Sequence, residues 1–275
     1  MSSMTVLVLG SGGREHALAL ACHRDPEVAA VHVAPGNPGT ASFATNHPLD
    51  PCDCDAVVSL ARGLEADLVV VGPEAPLVAG VADALRESGI DCFGPSAEAA
   101  QLEGSKAFAK EVMAAARVPT AASRSCDDAN SVSAALDEFG PPYVVKDDGL
   151  AGGKGVVVTH DRAEALAHAK RCFESDHRVV VEEYLDGPEV SLFAICDGTR
   201  ALPMQPAQDF KRVGDGEVGP NTGGMGAYTP LPWAPDDLVE AVSTTIISPT
   251  LRAMADRGTP FVGLLYVGLA LTSAG

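Results

Sequence analysis

Six lysines occur in the 275 residues, and four of them lie in segments whose composition suits anion binding. Lys146 ends the apolar run Tyr143–Val145, and Lys154 lies in the glycine-rich loop Gly149–Gly155 that follows it. Glycine lets a backbone approach a triphosphate closely, and a lysine above it adds a mobile positive charge. Lys146, partly desolvated at the end of its strand, needs an anion opposite it, and a phosphate supplies one.

This glycine loop lies between two apolar runs, so it is predicted to be a hairpin rather than a Walker loop, which precedes a helix. The interpretation favoured by the residues is a flap over nucleotide phosphates. The alternative is a flexible glycine hairpin with a solvated lysine. The predicted nucleotide contacts here are Lys146, Gly152, Gly153, Lys154 and Gly155.

A second apolar run, Val179–Val181, is predicted to be part of a buried strand, Val179–Leu185, that ends in two acids and an apolar pair. Such a strand end presents backbone donors and acceptors that suit the edge of an adenine ring. Glu189 follows a turn and is predicted to reach the ribose hydroxyls. The predicted contacts in this region are Glu182, Glu183, Tyr184, Leu185 and Glu189.

The segment Gln208–Tyr228 contains so much glycine and polarity that no periodic element fits it, and we expect a long ordered loop there. Adjacent Lys211 and Arg212 suit an anionic reaction centre. Asn221–Gly224 offers side-chain and backbone donors to the same centre.

These segments must be positioned by an α/β arrangement. In the first hundred residues, short apolar runs alternate with stretches of helical spacing, which is typical of a doubly wound parallel sheet. The predicted strands are Thr5–Leu9, Val31–Ala34, Leu68–Val71 and Asp91–Phe93, and the predicted helices are Glu15–Arg24, Asp55–Leu64 and Leu77–Ser88. Ser105 is predicted to cap a further helix, Lys106–Ala116.

Three polar loops follow predicted strands, namely Gly10–Glu15, Pro35–Thr40 and Gly72–Leu77. Ligands of open α/β sheets bind at this edge, where helix N-termini attract a phosphate or carboxylate. Each loop taken alone also suits an ordinary tight turn. A nicotinamide dinucleotide is disfavoured, because Glu15 stands where that fingerprint needs a small residue and the second strand ends without an acid.

The composition narrows the class of protein further. Apolar residues make up 46% of the chain, enough for a sizeable core, and the formal net charge is −18. A surface that acidic disfavours nucleic acid and anionic membranes as partners. The sequence has no run of signal-peptide or membrane-spanning type, and its seven cysteines lack a zinc spacing. We expect a cytoplasmic protein with reduced thiols.

The motifs together resemble a known family. Lys146, Gly152–Gly155, Glu182–Leu185 and Glu189 look like the nucleotide site of the ATP-grasp fold. Further blocks in order along the whole chain resemble the phosphoribosylamine–glycine ligases, and these are Val8–Ala17, Ala34–Asn37, Gly72–Leu77, Gln101–Lys106 and Asp209–Tyr228. The last of these is the most distinctive.

The resemblance implies both a fold and a reaction. The fold is an N-terminal α/β domain with a doubly wound parallel sheet, residues 1–104, that binds phosphoribosylamine, followed by an incomplete α+β ATP-grasp domain, residues 105–275, whose flap covers about 120–188. The reaction is ATP-dependent ligation of glycine to 5-phosphoribosylamine through a glycyl phosphate. Its products are glycinamide ribonucleotide, ADP and phosphate, in de novo purine biosynthesis.

Residue roles follow from the same resemblance. Lys106 joins Lys146 and Lys154 at the ATP phosphates, while Lys211 and Arg212 are catalytic residues facing the reacting carboxyl and phosphoryl groups. The implied phosphoribosylamine contacts are Gly10, Gly12, Gly13, Arg14, Glu15, Gly36, Asn37, Gly72, Pro73 and Glu74. Further implied substrate contacts are Asp209, Asn221, Thr222, Gly223, Gly224 and Met225. The resemblance implies that a monomer binds ATP, glycine and 5-phosphoribosylamine, together with Mg²⁺ or Mn²⁺.

The sequence departs from the family at the metal site. ATP-grasp ligases hold the metal with a Glu and an Asn on a strand that would follow Phe261–Leu271, but the sequence ends at Gly275. We therefore expect no metal ligand in this chain, and a fragment of a longer enzyme that is inactive alone. The alternatives are a fragment that binds ATP or phosphoribosylamine without turnover, and another purine-pathway ATP-grasp ligase, which Asp209–Tyr228 disfavours.

Overall fold

The structure, a computed structural model, describes residues 4–150, 155–216 and 218–273. The chain divides into two compact units. One runs to Gln101 and includes Phe261–Gly263, and the other comprises Leu102–Pro260 with the residues from Leu264 onward. The predicted contacts Gly152, Gly153 and Lys154 lie outside the described residues. Within the described ranges, every helix is too short or too polar to cross a bilayer.

The first unit is an α/β structure built on a parallel sheet, as predicted. Its elements are β1 (Met4–Gly10), α1 (Gly13–Arg24), β2 (Val28–Pro35), β3 (Thr45–Asn46), α2 (Cys54–Gly63), β4 (Leu68–Val71), α3 (Glu74–Val78), α4 (Val81–Glu87) and β5 (Cys92–Phe93). The strands lie in the order β3-β2-β1-β4-β5. At the centre of the sheet, Val8 of β1 lies between Val33 of β2 and Val70 of β4.

Both faces of this sheet are covered by helices, and the alternation of strand side chains decides which residue meets which helix. Leu7 and Leu9 lie in one apolar cluster with Leu85 of α4. Val6 points to the opposite face and lies in a second cluster with Ala19 of α1. Strands buried on both faces are continuous apolar runs, which is why the sequence marks them clearly.

The second unit contains an antiparallel four-stranded sheet and two smaller sheets. The elements along the chain are α5 (Gln101–Gly104), α6 (Lys106–Ala116), β6 (Ser123–Cys126), α7 (Ala129–Phe139), β7 (Tyr143–Asp147), β8 (Val156–Thr159), α8 (Arg162–Glu174), β9 (Val179–Glu182), β10 (Glu189–Asp197), β11 (Ala201–Pro203), β12 (Gln208–Gly214), β13 (Val218–Tyr228), α9 (Leu238–Val242), a π-helical segment (Ser243–Ile247), α10 (Ser248–Asp256) and β14 (Val262–Ala270). The sheet orders are β6-β9-β7-β8, β11-β10-β14 and β12-β13.

The four-stranded sheet carries the predicted glycine hairpin. Strands β7 and β8 are antiparallel, with Tyr143 opposite Thr159 and Lys146 opposite Val156, as the prediction requires. Helices α7 and α8 cover one face of this sheet, where Leu136 packs in the same apolar core as Val145.

Three sequence predictions of secondary structure are wrong. The expected loop Gln208–Tyr228 is the ribbon β12–β13, because strand pairing is made by backbone hydrogen bonds and needs no particular side chains. The register of this ribbon is irregular near Arg212, so the sequence has no regular alternation of side chains that would predict the strands. The predicted helix Leu77–Ser88 is two helices, because Gly80 lies in the left-handed region with φ 92°. The predicted strand Val179–Leu185 ends at Glu182.

Candidate functional site

The start of α6 is joined to the glycine loop by side-chain bonds. Ser105 caps the helix as predicted, with its Oγ accepting a backbone N–H bond of 3.1 Å. Asp148, directly after β7, accepts bonds of 3.1 Å from both Ser105 Oγ and Ala107 N. Lys106 Nζ donates to the carbonyl oxygen of Gly149 at 2.8 Å. The structure thus brings Lys106 to the beginning of the glycine loop, although the two were predicted from separate segments.

Lys146 belongs to a cluster of three charged side chains, Lys110, Lys146 and Glu182, which we call the Lys146 cluster. Lys146 Nζ lies 2.7 Å from Glu182 Oε2, and Lys110 Nζ lies 3.5 Å from Glu182 Oε1. Glu182 pairs with Val144 across β7 and β9, so its side chain lies on the same face as that of Lys146, two residues further along β7. The expectation that Lys146 needs a phosphate as its anion is therefore wrong, because Glu182 already supplies a negative charge opposite Lys146.

Lys110 is the member of this cluster that sequence reasoning missed. Its Nζ also donates to Thr120 Oγ1 at 2.9 Å and to the carbonyl oxygen of Ala121 at 2.8 Å. Burial lowers the pKa of Lys110 and the charge of Lys146 lowers it further, while Glu182 opposes both effects. The available signal was its position four residues after Lys106, which places both lysines on one helix face.

The residues after β9 are held differently from Glu182. Glu182 is buried, whereas Tyr184 and Leu185 expose 49% and 38% of their surface. The backbone N–H of Glu183 donates to Ala122 at 3.0 Å. The side chain of Glu182 is therefore engaged inside the protein, and the exposed part of the predicted adenine contact begins at Tyr184.

Lys211 lies in a second charged cluster of Lys211, Glu189 and Asp209, which we call the Lys211 cluster. Lys211 Nζ lies 2.8 Å from Glu189 Oε2 and 4.0 Å from Asp209 Oδ1. Burial tends to lower the pKa of Lys211, but the hydrogen bond that Lys211 donates to Glu189, together with the charges of Tyr266, Glu189 and Asp209, outweighs burial and raises that pKa. Glu189, predicted for the ribose hydroxyls, thus has one oxygen bonded to the predicted catalytic lysine.

Other predicted residues of the β12–β13 ribbon are bonded mainly to its own backbone. Arg212 Nη1 donates to the carbonyl oxygen of Gly219 at 2.8 Å. Thr222 Oγ1 donates to the carbonyl oxygen of Lys211 at 3.0 Å and accepts from Gly224 N at 3.1 Å. Met225 is 59% exposed. The backbone of Asn221 lies opposite Arg212, and a side chain at Gly223 would meet open space.

In the first unit, Glu15 occupies the interior of the glycine turn. Its Oε2 accepts from Gly12 N at 2.6 Å, and its side chain is buried. A side chain at Gly10 or Gly72 would overlap Glu15, which explains glycine at both positions. Glu15 therefore holds two of the predicted loops at one edge of the sheet.

Three further hydrogen bonds join the three predicted loops. Asn37 Nδ2 donates to the carbonyl oxygen of Ser11 at 3.1 Å, between the first loop and the second. Arg14 and Glu74 form a two-bond ion pair, 2.8 Å and 3.3 Å, between the first loop and the third. Burial raises the pKa of Glu74, but the bonds from Arg14 outweigh this and leave that pKa below its usual value. The three loops, including Gly13, Gly36 and Pro73, therefore converge at one sheet edge.

Comparison with known proteins matches both halves of the chain to one family. Residues 4–103 match the family model described as phosphoribosylglycinamide synthetase, N domain, and residues 104–275 match phosphoribosylglycinamide synthetase, ATP-grasp (A) domain. The chain belongs to the phosphoribosylglycinamide synthetase family. Its ATP-grasp fold class, recognised in the sequence, is thereby confirmed.

Individual members of this synthetase family align with almost the whole chain. A phosphoribosylamine–glycine ligase of Streptomyces coelicolor is 64% identical over 272 residues, which are 99% of this chain and 64% of the relative. A crystal structure of the ligase from Thermotoga maritima superposes with a TM-score of 0.84 at 32% identity, over 98% of this chain and 66% of the other. The chain thus spans slightly less than two thirds of these relatives.

A more distant structure shows the fold alone. An ADP complex of N5-carboxyaminoimidazole ribonucleotide synthetase superposes with a TM-score of 0.76 at 18% identity, over 100% of this chain and 68% of the other.

Among the residues that the structure describes, no group of three or more His, Cys, Asp or Glu side chains is placed to hold a metal ion.

Proposed function

We propose that the chain forms the ATP- and phosphoribosylamine-binding part of a ligase that joins glycine to 5-phosphoribosylamine. The reaction releases ADP and phosphate and gives glycinamide ribonucleotide, in de novo purine biosynthesis. The observation that carries this proposal is the Lys146 cluster, where two lysines surround one carboxylate beside the glycine loop. In a chain with a formal charge of −18, such a local excess of positive charge favours a site for phosphates.

The proposed ATP site uses the elements around that cluster. Lys106, Lys146 and Lys154 contact the phosphates together with the backbone of the glycine loop, including Gly152, Gly153 and Gly155. The adenine edge meets the backbone of Glu183–Leu185. Glu189 Oε2 is bonded to Lys211, so Glu189 offers its other oxygen to the ribose.

The proposed substrate sites lie at the joined loops and on the ribbon. Phosphoribosylamine binds at the sheet edge, where the bonds from Asn37 and Arg14 hold the loops ready. Lys211 and Arg212 face the glycine carboxylate and the transferred phosphoryl group. ATP converts that carboxylate to a glycyl phosphate, and the amine of phosphoribosylamine displaces the phosphate. The protein contributes positioning and charge neutralisation.

The wider assignment follows the same proposal. We place the boundary between the two domains at residues 104 and 105, and the protein in the cytoplasm as a monomer without nucleic-acid partners. Ligases of this type use Mg²⁺ or Mn²⁺, but the described residues do not fit such an ion, because no cluster of three candidate ligands is present among them. The metal is therefore assigned to the reaction and not to named side chains of this chain.

The test is ADP release with ATP, Mg²⁺, glycine and freshly made 5-phosphoribosylamine. We would assay the chain beside a chimaera that appends the remaining part of the Streptomyces coelicolor relative. The proposal predicts that the chimaera releases ADP only when both substrates are present. The chain alone is expected to bind ATP with little turnover, as a binding fragment would.

Two controls make the outcome decisive. Replacing glycine by alanine or aspartate in the assay separates this reaction from ligases with other amino-acid substrates. A chimaera that binds ATP and releases no ADP with glycine and phosphoribosylamine would contradict the proposed function. ADP release that is equally fast with and without phosphoribosylamine would also contradict the proposed function.

A further inference from the structure

We infer that Lys110 is a positioning residue for the phosphate site: it supplies the charge that leaves Lys146 free to attract an anion, without contacting the nucleotide itself. This inference rests on the proposed ATP binding at Lys146. It concerns a residue that lies outside every motif predicted from the sequence.

Lys110 is held on the inner side of the Lys146 cluster. Its ammonium group is fixed by Thr120 Oγ1 and the carbonyl oxygen of Ala121, two neutral acceptors at 2.9 Å and 2.8 Å. Glu182 lies further away, at 3.5 Å. Only 14% of the Lys110 side chain is exposed, against 27% for Lys146. Lys110 is thus anchored on the inner side of the cluster, and Lys146 is the member that a ligand meets.

The Lys146 cluster carries one more positive charge than negative charges. Glu182 Oε2 lies 2.7 Å from Lys146, so these two groups alone would neutralise each other. Lys110 adds a second positive charge and gives the cluster a net charge of +1. A half-buried site with that excess attracts a phosphate strongly, since charges there are poorly screened. The next acid, Glu183, is half-exposed and better screened by water.

The competing explanation is that Lys110 only ties α6 to the segment at Thr120 and Ala121. That structural role would change stability without distinguishing charged from uncharged ligands. The charge role predicts the opposite pattern, with a selective loss for ligands that carry phosphate.

The experiment is calorimetric titration of the whole chain with ADP and, separately, with adenosine. We expect K110M to weaken ADP binding by about tenfold to hundredfold, because a unit charge near the site is lost. Adenosine binding should change less than about twofold, since adenosine carries no charge. K110R, which keeps the charge, should restore ADP binding to within about threefold of the wild type.

Matched variants guard against misfolding and general charge effects. K110Q retains a donor for Thr120 and carries the test if K110M does not fold. K170M removes a lysine whose side chain is 77% exposed and should bind ADP as the wild type does. Equal losses for ADP and adenosine, or unchanged ADP binding in K110Q, would overturn the inference while leaving ATP binding intact. A wild-type chain that binds no ADP would overturn the proposed function, and this inference with it.

Discussion

The Lys146 cluster and the Lys211 cluster lie in the same unit and contain the same kinds of side chain in opposite proportions. The first has two lysines around one buried carboxylate, Glu182. The second has one lysine between two carboxylates, with Glu189 63% exposed and Asp209 31% exposed. The net charges are therefore +1 and −1.

This difference teaches that a lysine in a motif is not equivalent to an available positive charge. Lys146 has a positively charged neighbour, Lys110, that also neutralises part of the negative charge of Glu182. Lys211 has no such neighbour within its own cluster, where two carboxylates, Glu189 and Asp209, face its single positive charge. We therefore expect the first cluster, with its excess positive charge, to attract an anion more strongly than the second.

The largest expected effect is that of E182Q, and it distinguishes the buried Glu182 from the exposed Glu189. E182Q leaves two lysines half-buried without an anion, and we expect the free energy of unfolding of the chain to fall by about 3 kcal/mol. Urea denaturation followed by circular dichroism measures this. A loss below about 1 kcal/mol would show that the cluster is solvated like a surface ion pair and would contradict the distinction between the two clusters.

A second contrast concerns the two lysines. K146M should weaken ADP binding on the order of 30-fold, because a charge-assisted bond to phosphate is lost. K211M should change ADP affinity by less than about threefold, since Lys211 lies in a cluster whose net charge is negative. Calorimetry of both variants beside K170M decides the matter. Comparable losses in K146M and K211M would contradict the distinction between the clusters.

The lysines of the two clusters should lose their charges in different pH ranges. The pKa of Lys110 lies below the ordinary value of 10.5, because burial and the charge of Lys146 outweigh the attraction of Glu182, so Lys110 loses its charge at a lower pH than an ordinary lysine does. The pKa of Lys211 lies above 10.5, because the hydrogen bond that it donates to Glu189 and the nearby negative charges outweigh burial, so Lys211 keeps its charge to a higher pH. ADP affinity should therefore begin to fall below pH 10.5. K110Q should lack this early fall, and an identical profile in both proteins would count against the assignment.

The smallest expected effect is that of E189Q. Because Glu189 is largely exposed, its bond to Lys211 should contribute less than about 1 kcal/mol to the free energy of unfolding. The same denaturation experiment compares E189Q directly with E182Q. A loss as large as that of E182Q would mean that exposure does not separate the two clusters.

Much of the fold was predictable from the sequence because buried parallel strands leave an apolar signal. Thr5–Leu9 is covered on both faces and was placed almost to the residue. The glycine hairpin was recognisable because Lys146 and its loop lie between two such runs. The β12–β13 ribbon was not predicted, because its strands pair through backbone hydrogen bonds and its glycine-rich sequence has no alternation of apolar and polar side chains.

The candidate site was predictable as a set of segments but not as a set of pairings. Sequence identified Lys146, Glu182, Glu189 and Lys211, and the structure shows how they pair. Pairing depends on which strands are neighbours, and a linear pattern does not specify that. Lys110 was missed for the same reason, because its partner Glu182 lies 72 residues away along the chain.

The most direct test of the account is a structure of the chain determined with ADP. The account predicts phosphate oxygens within hydrogen-bonding distance of Lys146 Nζ, with Lys110 still bonded to Thr120 and Ala121. Phosphates bound at Lys211, with the Lys146 cluster unchanged and distant from the ligand, would contradict it.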